Sequence, residues 1–578
     1  MLPVTLRKWK LRQDLPAEKH LKGPAETFQL QSLTIQVLQL RGITTAEQVD
    51  EFLRAGLSAL PDPGLLPDME IGCARLEQAL INGEKIAVHG DYDVDGITGC
   101  TLLVETLQAL GGEVEYHIPL RLKDGYGLSA DAIKQAQQNG CTLILSVDCG
   151  VSACAEAELC NELGLDLIIT DHHQPPDVLP DAFALINPHC PGNRFPWQGL
   201  SGVGVAFFLL IGLRRHLRDK GYFSTNPEPD LRLGLDLVAL GTIADIVPLG
   251  GVNRILVRSG LQLLETGSRP GIAALKRVAE VKQVTGGTVG FRLAPRLNAA
   301  GRLEDAALGV KLLLGKDPDE VNSLAELLDG FNRDRQKIEQ KTLTEAIALV
   351  EQQNLPDRYT IVLASENWHS GVIGIVASRL VERYHRPTVM IALENGQGKG
   401  SARSIGHFHL YQALKGCSES LEGFGGHAMA AGLSIREKNL ETFSNDLEQI
   451  ARADLSAEDL LPVVYHDGEV ELSQLTLPLL QELELLNPFG AGNPQPVFVS
   501  RNCTPLVPRV LGGKHLKFDV EQAGCRIGCI AFGQGGRLDE LSGPIDLLYR
   551  PGINQWRGNS SVQLQIVDFS PTEGCCDD

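Results

Sequence analysis

The chain has 578 residues, 43% of them hydrophobic, and a formal net charge of −20. That length predicts about three or four domains at roughly 150 residues each. The acidic balance excludes a protein that coats nucleic acid by bulk charge, although arginine and lysine can still make one groove positive. No apolar run reaches the ~18 residues of a membrane span. MLPVTLRKWKLRQDL lacks the apolar core of an export signal, so we expect a cytoplasmic protein that does not enter a membrane.

The first half of the chain predicts a helical leader followed by an α/β domain. Residues 1–70 have helical periodicity between loops, as in TTAEQVDEFLRAG. Over residues 71–310, short apolar runs such as EKIAVHGD, CTLILSVDCG and LDLIITDHH alternate with helical segments such as LSADAIKQAQQNG. This rhythm of nearly continuous apolar strands and helices predicts a buried parallel sheet.

The second half predicts a smaller α/β domain and an all-β domain. Residues 311–353 are highly charged with a helical apolar period, and they predict a long connecting helix. Residues 354–455 contain strand-like RYTIVLAS and PTVMIALE around helix-like VIGIVASRLVERY. Residues 456–570 contain five strand-like segments separated by Gly, Pro and Asn, which predict a five-stranded barrel. A polar tail, 571–578, includes Cys575 and Cys576, which do not form a pattern typical of a metal site.

Carboxylates and imidazoles follow four segments that we expect to be strands of one sheet. Because the carboxyl ends of parallel strands meet at one edge, we expect these groups to lie together. The fourth segment is LDLVALGTIADIVPL. The side chains are His89, Asp91, Asp93 and Asp95, then Asp148, then Asp171, His172 and His173, and finally Asp245.

This set of side chains predicts a site for hard divalent cations. Carboxylate oxygens suit Mg²⁺ and Mn²⁺, and Mn²⁺ accepts imidazole more readily, so we expect Mn²⁺ with Mg²⁺ as the alternative. Zinc usually brings paired cysteines or more histidines. Two ions sharing a carboxylate would suit in-line displacement at phosphorus.

The motifs HGDYDVDG, SVDCG, TDHH and TIADIVPL resemble, in this order, the four motifs of the DHH phosphoesterase superfamily. Further segments resemble the branch of that superfamily that degrades single-stranded DNA from its 5′ end. They are RLKDGYGL, GLSGVGVAF, APRLNAAGR, WHSGVIGIVASRL, GSARS and GGHAMAAG. The resemblance covers about residues 70–570. It implies a DHH domain over 71–310, a DHHA1 domain over 354–455 and an OB-like barrel over 456–570.

The resemblance also implies a two-manganese site. Asp148 would bridge the ions, and Asp91, Asp93, His172 and Asp245 would complete the ligands, with Asp95 kept as a further candidate. A second alignment of the first motif selects His89, Asp93 and Asp95 instead. His173 would stand at the scissile phosphate, so that Asp148, His172 and His173 form the catalytic group.

Substrate contacts follow from the same resemblance. Arg121, Ser401 and Arg403 would hold a terminal 5′-phosphate, since an arginine fork reads a phosphate with two parallel hydrogen bonds. The remaining expected substrate contacts are Arg296, Asn298, Arg302 and His427. In the barrel, where single strands bind by stacking and positive charge, the candidates are Arg501, Arg509, Lys514, His515, Lys517, Phe518 and Arg557.

The function implied is a metal-dependent 5′-to-3′ exonuclease on single-stranded DNA that releases mononucleotides in recombination and repair. A DNA helicase and a single-strand-binding protein are the expected partners. Two alternatives stay open: a phosphodiesterase for short RNA or cyclic dinucleotides, and a non-catalytic DNA-binding replication factor of the same fold. The residues do not decide the physiological metal, processivity, tolerance of RNA or oligomeric state.

Overall fold

The computed structural model describes residues 7–12, 28–121, 125, 127–352 and 355–572. Half of the RLKDGYGL turn and the Cys575–Cys576 tail lie outside these residues. Contacts divide the chain into two compact units. The first comprises residues 1–8, 62–245 and 260–462, and the second comprises 9–61, 246–259 and 463–578. Among the described helices, none is both long and apolar enough to cross a bilayer.

The N-terminal region is mainly helical, as its sequence predicts. Helix α2 (Ala46–Arg54) begins with a capping box, in which Thr45 and Gln48 satisfy each other's backbone N–H groups. Apolar residues of α1 and α2 belong to the core cluster of the second unit. The elements are β1 (Lys8–Leu11), α1 (Ser32–Gln39), α2 (Ala46–Arg54) and α3 (Met69–Asn82).

A parallel five-stranded sheet forms the first part of the first unit. Its strand order is β3-β2-β4-β5-β6, and all neighbours run parallel. Its central strands are apolar and buried on both faces, which confirms the sheet that the sequence predicts. The elements are β2 (Lys85–Gly90), α4 (Val94–Ala109), β3 (Glu113–His117), α5 (Ala130–Gln138), β4 (Cys141–Val147), α6 (Cys154–Leu163), β5 (Asp166–Thr170), β6 (Ala184–Ile186) and α7 (Gly202–Asp219).

The segment before Asp245 is a helix, so the expectation of a fourth strand end is wrong. LDLVALGTIA is α8, and Asp245 caps its carboxyl end. The segment is apolar on all sides because α8 is buried, and periodicity then cannot separate a helix from a strand. The helices that follow are α8 (Leu235–Ala244), α9 (Gly251–Thr266), α10 (Pro270–Val278), α11 (Gly286–Thr288), α12 (Ala294–Leu303), α13 (Ala307–Leu314) and α14 (Pro318–Gln352).

A second five-stranded sheet, of order β10-β11-β9-β8-β7, follows the long helix α14. Only β7 and β8 are parallel neighbours within it. The glycine-rich segments GKGSARS and GFGGHAMAAGLSI are largely strands of this sheet. The elements are β7 (Ile361–Ser365), α15 (Ile373–Tyr384), β8 (Thr388–Glu394), β9 (Gln397–Arg403), α16 (Leu410–Gly416), β10 (Leu421–Gly426), β11 (Ala430–Arg436) and α17 (Leu440–Asp454).

The C-terminal region is a closed five-stranded barrel of order β13-β14-β15-β17-β16, which confirms the prediction of an OB-like barrel. Its interior holds Phe498, Phe518 and Phe569. Phe518 is only 2% exposed, so its candidacy as a stacking residue is wrong. The elements are β12 (Val463–His466), α18 (Leu477–Glu484), β13 (Phe498–Leu511), β14 (His515–Gln522), β15 (Cys525–Ala531), β16 (Ile545–Trp556) and β17 (Asn559–Pro571).

Candidate metal centre and phosphate pocket

The topology of the parallel sheet creates a crevice between β2 and β4. The chain proceeds from β2 outward to β3 and then returns to the other side of β2 as β4, so the strand order reverses there. Ligands of parallel sheets bind in such a crevice, beyond the carboxyl ends of the strands. Asp91 follows β2 directly and Asp148 follows β4, and both carboxylates are buried. Asp148 has a φ of 64°, a left-handed conformation that non-glycine residues adopt mainly at special positions.

The acidic turn after β2 is held by its own helix. The Oδ1 atom of Asp93 accepts hydrogen bonds from the N–H of Asp95 at 2.9 Å and of Gly96 at 3.2 Å, so Asp93 caps α4. Position 96 must be glycine, since a Cβ there would lie 2.4 Å from the Asp91 nitrogen. The cap therefore fixes the Asp91, Asp93 and Asp95 backbone in one turn.

Asp95 is anchored by the start of α7, a contact that the sequence reasoning missed. Its two carboxylate oxygens accept hydrogen bonds from the N–H of Gly202 at 2.6 Å and of Val203 at 2.9 Å. A Cβ on Gly202 would lie 2.5 Å from the Asp148 Cβ. Glycine at 202 lets this helix start approach both acids. The segment SGVGVA, whose serine caps α7, was the sequence feature that could have indicated this contact.

His172 is the point at which donors from three segments converge. Its Nε2 atom lies 3.0 Å from Asp148 Oδ1, 3.5 Å from Asp245 Oδ2 and 3.8 Å from Asp95 Oδ2. None of these contacts has hydrogen-bond geometry, and His172 Nε2 and Asp245 Oδ2 are buried without a hydrogen-bond partner. Atoms that face one another in this way can share a cation.

Three groups of donor atoms, each within 4.8 Å of one another, occur among the described residues. Asp148 and His172 each belong to two groups, and His89 belongs to none. The groups are Asp91, Asp93 and Asp148; Asp95, His172 and Asp245; and Asp148, His172 and His173. A mixture of several carboxylates and imidazole fits Mn²⁺ or Mg²⁺, as the sequence predicts.

The electrostatics of the crevice favour a bound cation. Burial, followed by repulsion from Asp93, raises the pKa of Asp91 to about 8 and that of Asp95 to about 7. Burial, followed by repulsion from Asp95, raises the pKa of Asp245 to about 9 and that of Asp148 well above its usual range. A divalent cation would offset this repulsion.

His89 lies apart from these donors and packs against another imidazole. Its ring centroid is 5.3 Å from that of His117 on the neighbouring strand. Burial, and then the neighbouring His117, lowers the pKa of His89 to about 3, so it is neutral. A neutral imidazole could bind a metal, but His89 belongs to none of the three donor groups. This arrangement favours Asp91 over His89 as a metal ligand.

His173 is held by the first residue of its own motif. Its Nδ1 atom lies 2.7 Å from Asp171 Oδ1, and the same carboxylate accepts hydrogen bonds from the N–H of His172 and Val151. Burial lowers the pKa of His173, but the Asp171 carboxylate outweighs that effect and raises it to about 9. His173 is therefore a cation with a partly exposed ring at neutral pH.

A pocket of about 660 Å³ contains arginines from three separate segments of the first unit. Arg121 stacks over the Tyr92 ring at 4.9 Å, and Arg403 Nη1 donates to Ser401 Oγ at 3.1 Å. Arg302 donates to the Gly371 carbonyl at 3.2 Å. Burial, followed by repulsion from Arg121, lowers the pKa of Arg302 to about 10 and also lowers that of Arg403. None of the described residues that line this pocket is acidic.

Three of the expected substrate contacts do not line this pocket. Arg296 is paired with Asp329 at 2.9 Å. Asn298 Oδ1 accepts a hydrogen bond from the Val94 N–H at 3.2 Å, so it supports the acidic turn. His427 is exposed beyond the end of β10.

The barrel contains a groove of about 550 Å³ with exposed aromatic side chains. Trp556 and Phe532 line it and are 68% and 56% exposed. Of the candidates named from the sequence, Lys517 lines the groove, and His515 and Arg557 pack near its aromatic rings. Arg501 instead pairs with Glu469 and Asp546. The sequence reasoning missed Trp556 and Phe532, whose positions at strand ends were the available signal.

A buried centre of carboxylates and imidazole at the switch point of a parallel sheet, followed along the chain by a second five-stranded sheet, defines a DHH-type phosphoesterase. Family models match accordingly: the DHH family N-terminal domain over residues 85–242, the DHHA1 domain over 357–453 and the RecJ OB domain over 466–568. The chain belongs to the RecJ family of single-stranded-DNA-specific exonucleases.

Similar proteins cover nearly the whole chain. The single-stranded-DNA-specific exonuclease RecJ of Dickeya dadantii is 40% identical over 94% of this chain and 96% of its own length. That of Bacillus subtilis is 38% identical over 99% of this chain and 72% of its own length. The crystal structure of RecJ from Thermus thermophilus in complex with Mn²⁺ has a TM-score of 0.84 at 32% identity and covers 98% of this chain and 80% of its own.

Proposed function

We propose that this protein is a 5′-to-3′ exonuclease that hydrolyses single-stranded DNA to mononucleotides. The observation that supports it most is the pairing of a buried acidic centre with an arginine pocket that contains no acid among its described lining residues. Arg302 links the two, because it interacts electrostatically with both Asp93 and Arg403. A metal centre beside a phosphate-binding pocket would cut a phosphodiester at a defined distance from a strand end.

We assign the two groups of donors to two Mn²⁺ ions, with Mg²⁺ as the alternative. Asp91, Asp93 and Asp148 would hold one ion, and His172 and Asp245, with Asp95, would hold the other. RecJ structures from Thermus thermophilus in complex with Mn²⁺ and with Mg²⁺ support the choice of these metals. When bound, the metals would lower the pKa of water and stabilise negative charge on the phosphate.

The protein's own side chains would orient the strand around this centre. Arg121, Ser401 and Arg403 would bind the terminal 5′-phosphate, with Arg302 beside them. The His173 cation, fixed by Asp171, would stabilise charge at the scissile phosphate. Arg296, Asn298 and His427 would act from outside the pocket, Asn298 by supporting the acidic turn. A terminal phosphate held here leaves the first phosphodiester as the bond presented to the metal centre, so single nucleotides would be released.

The barrel would hold the part of the strand that lies downstream of the cut. We expect Trp556→Ala to weaken binding of a long single strand about tenfold, since stacking contributes roughly 1–3 kcal/mol per base. Turnover of a dinucleotide should be unchanged. Titration of a fluorescent single strand of about 40 nucleotides in chelator would measure the first effect, and nucleotide release would measure the second. Leu485→Ala, which removes another exposed apolar side chain of the same unit, is the control. Unchanged binding by Trp556→Ala would exclude a stacking role.

Digestion of a long single strand labelled at either end would test the function directly. We expect mononucleotides from the 5′ end only, with Mn²⁺ or Mg²⁺, and none with chelator. If the protein left this strand intact but cleaved a dinucleotide or cyclic dinucleotide, the substrate assignment would be wrong and the alternative phosphodiesterase would replace it. If it bound DNA without cleaving any of these, the non-catalytic alternative would replace it.

We also propose a setting for this activity. A strand must be unpaired before it can be digested, so a helicase would supply the substrate and a single-strand-binding protein would meet the same DNA. The cytoplasm, where bacterial DNA lies, would be the location. We propose the domain division given by the sequence, with the connecting helix α14 between the DHH and DHHA1 domains.

A further inference from the structure

The phosphate pocket extends beyond the residues that would hold a terminal phosphate. Residues 399, 401 and 403 of β9 point to one face of the second sheet, because side chains alternate along a strand. Lys399 is exposed and lines the pocket two residues beyond Ser401. Alternate residues lie roughly 6.5–7 Å apart, so Lys399 stands about that distance beyond Ser401 along the strand, within reach of the phosphates that follow the first one.

Residues of the neighbouring strands β11 and β10 line this extension and leave the space above them open. Ser434 pairs with Lys399 across β9 and β11, and Gly423 pairs with Ser434 across β11 and β10. All three line the pocket. A Cβ on Gly423 would meet no atom within 4 Å, so the space beside Gly423 is not filled by the protein. A lysine, a hydroxyl and a glycine in one row offer donors around an open space.

The charge of the pocket exceeds what one terminal phosphate needs. A phosphomonoester carries about −1.5 to −2 at neutral pH. The pocket presents four cations, Arg121, Arg302, Arg403 and Lys399, and no acid among its described lining residues. Its volume of about 660 Å³ is that of a site for a small molecule rather than for one phosphate.

We propose that Lys399, Ser434 and Gly423 form a second phosphate subsite, which accepts strands that end in a 5′-di- or triphosphate. This inference rests on the proposed function, since it places the first phosphate of the end against Arg121, Ser401 and Arg403. The second and third phosphates would extend along β9, away from the metal centre, and Lys399 would bind them. The first phosphodiester would stay at the metal centre, so a triphosphorylated end would still be trimmed.

The test compares single-stranded oligonucleotides with a 5′-hydroxyl, a 5′-monophosphate or a 5′-triphosphate, titrated onto the full chain in chelator. We expect the triphosphate strand to bind at least as tightly as the monophosphate strand. Lys399→Ala should weaken binding of the triphosphate strand about fivefold and of the monophosphate strand about twofold or less, as expected for loss of one exposed charge contact that solvent screens. Lys415→Ala, which removes another exposed lysine of the same unit, should change neither.

Gly423→Val supplies a second variant that does not depend on charge. The added side chain meets no protein atom at its Cβ, so it should fill the subsite while the protein stays folded. We expect Gly423→Val to weaken binding of the triphosphate strand more than binding of the monophosphate strand. Competition by free ATP against the labelled triphosphate strand separates two sources of polyphosphate. If ATP competes more weakly than the unlabelled triphosphate strand does, the subsite belongs to strand ends. If the two compete equally, the subsite recognises the polyphosphate group alone.

Three results would overturn the inference. One is wild-type binding of the triphosphate strand more than about tenfold weaker than that of the monophosphate strand, a difference of about 1.4 kcal/mol. Another is an equal effect of Lys399→Ala on both strands. If the monophosphate strand bound no better than the hydroxyl strand, the end-binding role in the proposed function would fail as well, so the two failures are distinguishable.

Discussion

Replacement of Asp148 by asparagine should reduce cleavage of single-stranded DNA by at least about a thousandfold, or roughly 4 kcal/mol of transition-state stabilisation. Asp148 contributes to two of the three donor groups, and its Oδ1 atom lies 3.0 Å from His172. Asparagine keeps the shape of the side chain but removes the charge that a metal needs. Nucleotide release with saturating Mn²⁺ would measure the loss.

The same variant should be at least as stable as the parent protein when both are measured in chelator. The Asp148 carboxylate is buried, and repulsion from Asp95 and Asp93 adds to the cost of its charge. Without that charge, the metal-free protein no longer has this repulsion among buried carboxylates. Its thermal unfolding temperature in chelator should therefore rise or stay unchanged. DNA binding in chelator should persist. Asp131→Asn, on the exposed first turn of α5, is the matched control. Normal cleavage by Asp148→Asn would refute the metal assignment.

Replacement of Arg403 by alanine should remove the preference for 5′-phosphorylated ends. We expect the kcat/KM for a phosphorylated strand to fall about ten- to a hundredfold, since a hydrogen bond to a charged group contributes roughly 1.5–3 kcal/mol. Cleavage of a 5′-hydroxyl strand should change about twofold or less, because that end offers no charge to the guanidinium. The ratio of the two kcat/KM values is the measurement.

Two further variants define what Arg403 contributes. Arg403→Lys keeps the charge but loses the planar fork, so it should restore only part of the preference. Arg383→Ala removes an exposed arginine on α15 of the same unit and should leave the ratio unchanged. An unchanged ratio in Arg403→Ala would contradict the role in binding the strand end, even if total activity fell.

Much of the parallel sheet could be predicted because its signals are local. The strands β2, β4 and β5 are short apolar runs, and each is followed by a polar residue that begins a turn. The segment LSADAIKQAQQNG forms the helix that its sequence predicts, and Ser129 caps it. The barrel strands were also recognisable from their spacing. In β14, the alternation of Leu516, Phe518 and Val520 marks the buried face, so the sequence already contained the reason why Phe518 cannot stack on a base.

Other features depended on burial and could not be predicted from periodicity. The segment before Asp245 is uniformly apolar because α8 is covered on all sides, so its pattern fits a strand as well as a helix. In GKGSARS, Gly398 and Gly400 pack closely against Ile391 and strand β11, and this packing leaves no room for a larger side chain. In both segments neighbours, and not local propensity, decided the conformation.

The sequence by itself determined which chemical groups are present and that several of them follow strands of one parallel sheet. That was enough to predict a divalent-metal site, because the carboxyl ends of parallel strands share an edge whatever the details of packing. Only the tertiary structure decided which atoms meet. It placed Asp95 against the amides of Gly202 and Val203, paired Arg296 with Asp329, and brought Arg121, Arg302 and Arg403 to one pocket. These residues are far apart in the chain, and their separation is set by the packing of whole helices and strands, which no local pattern encodes.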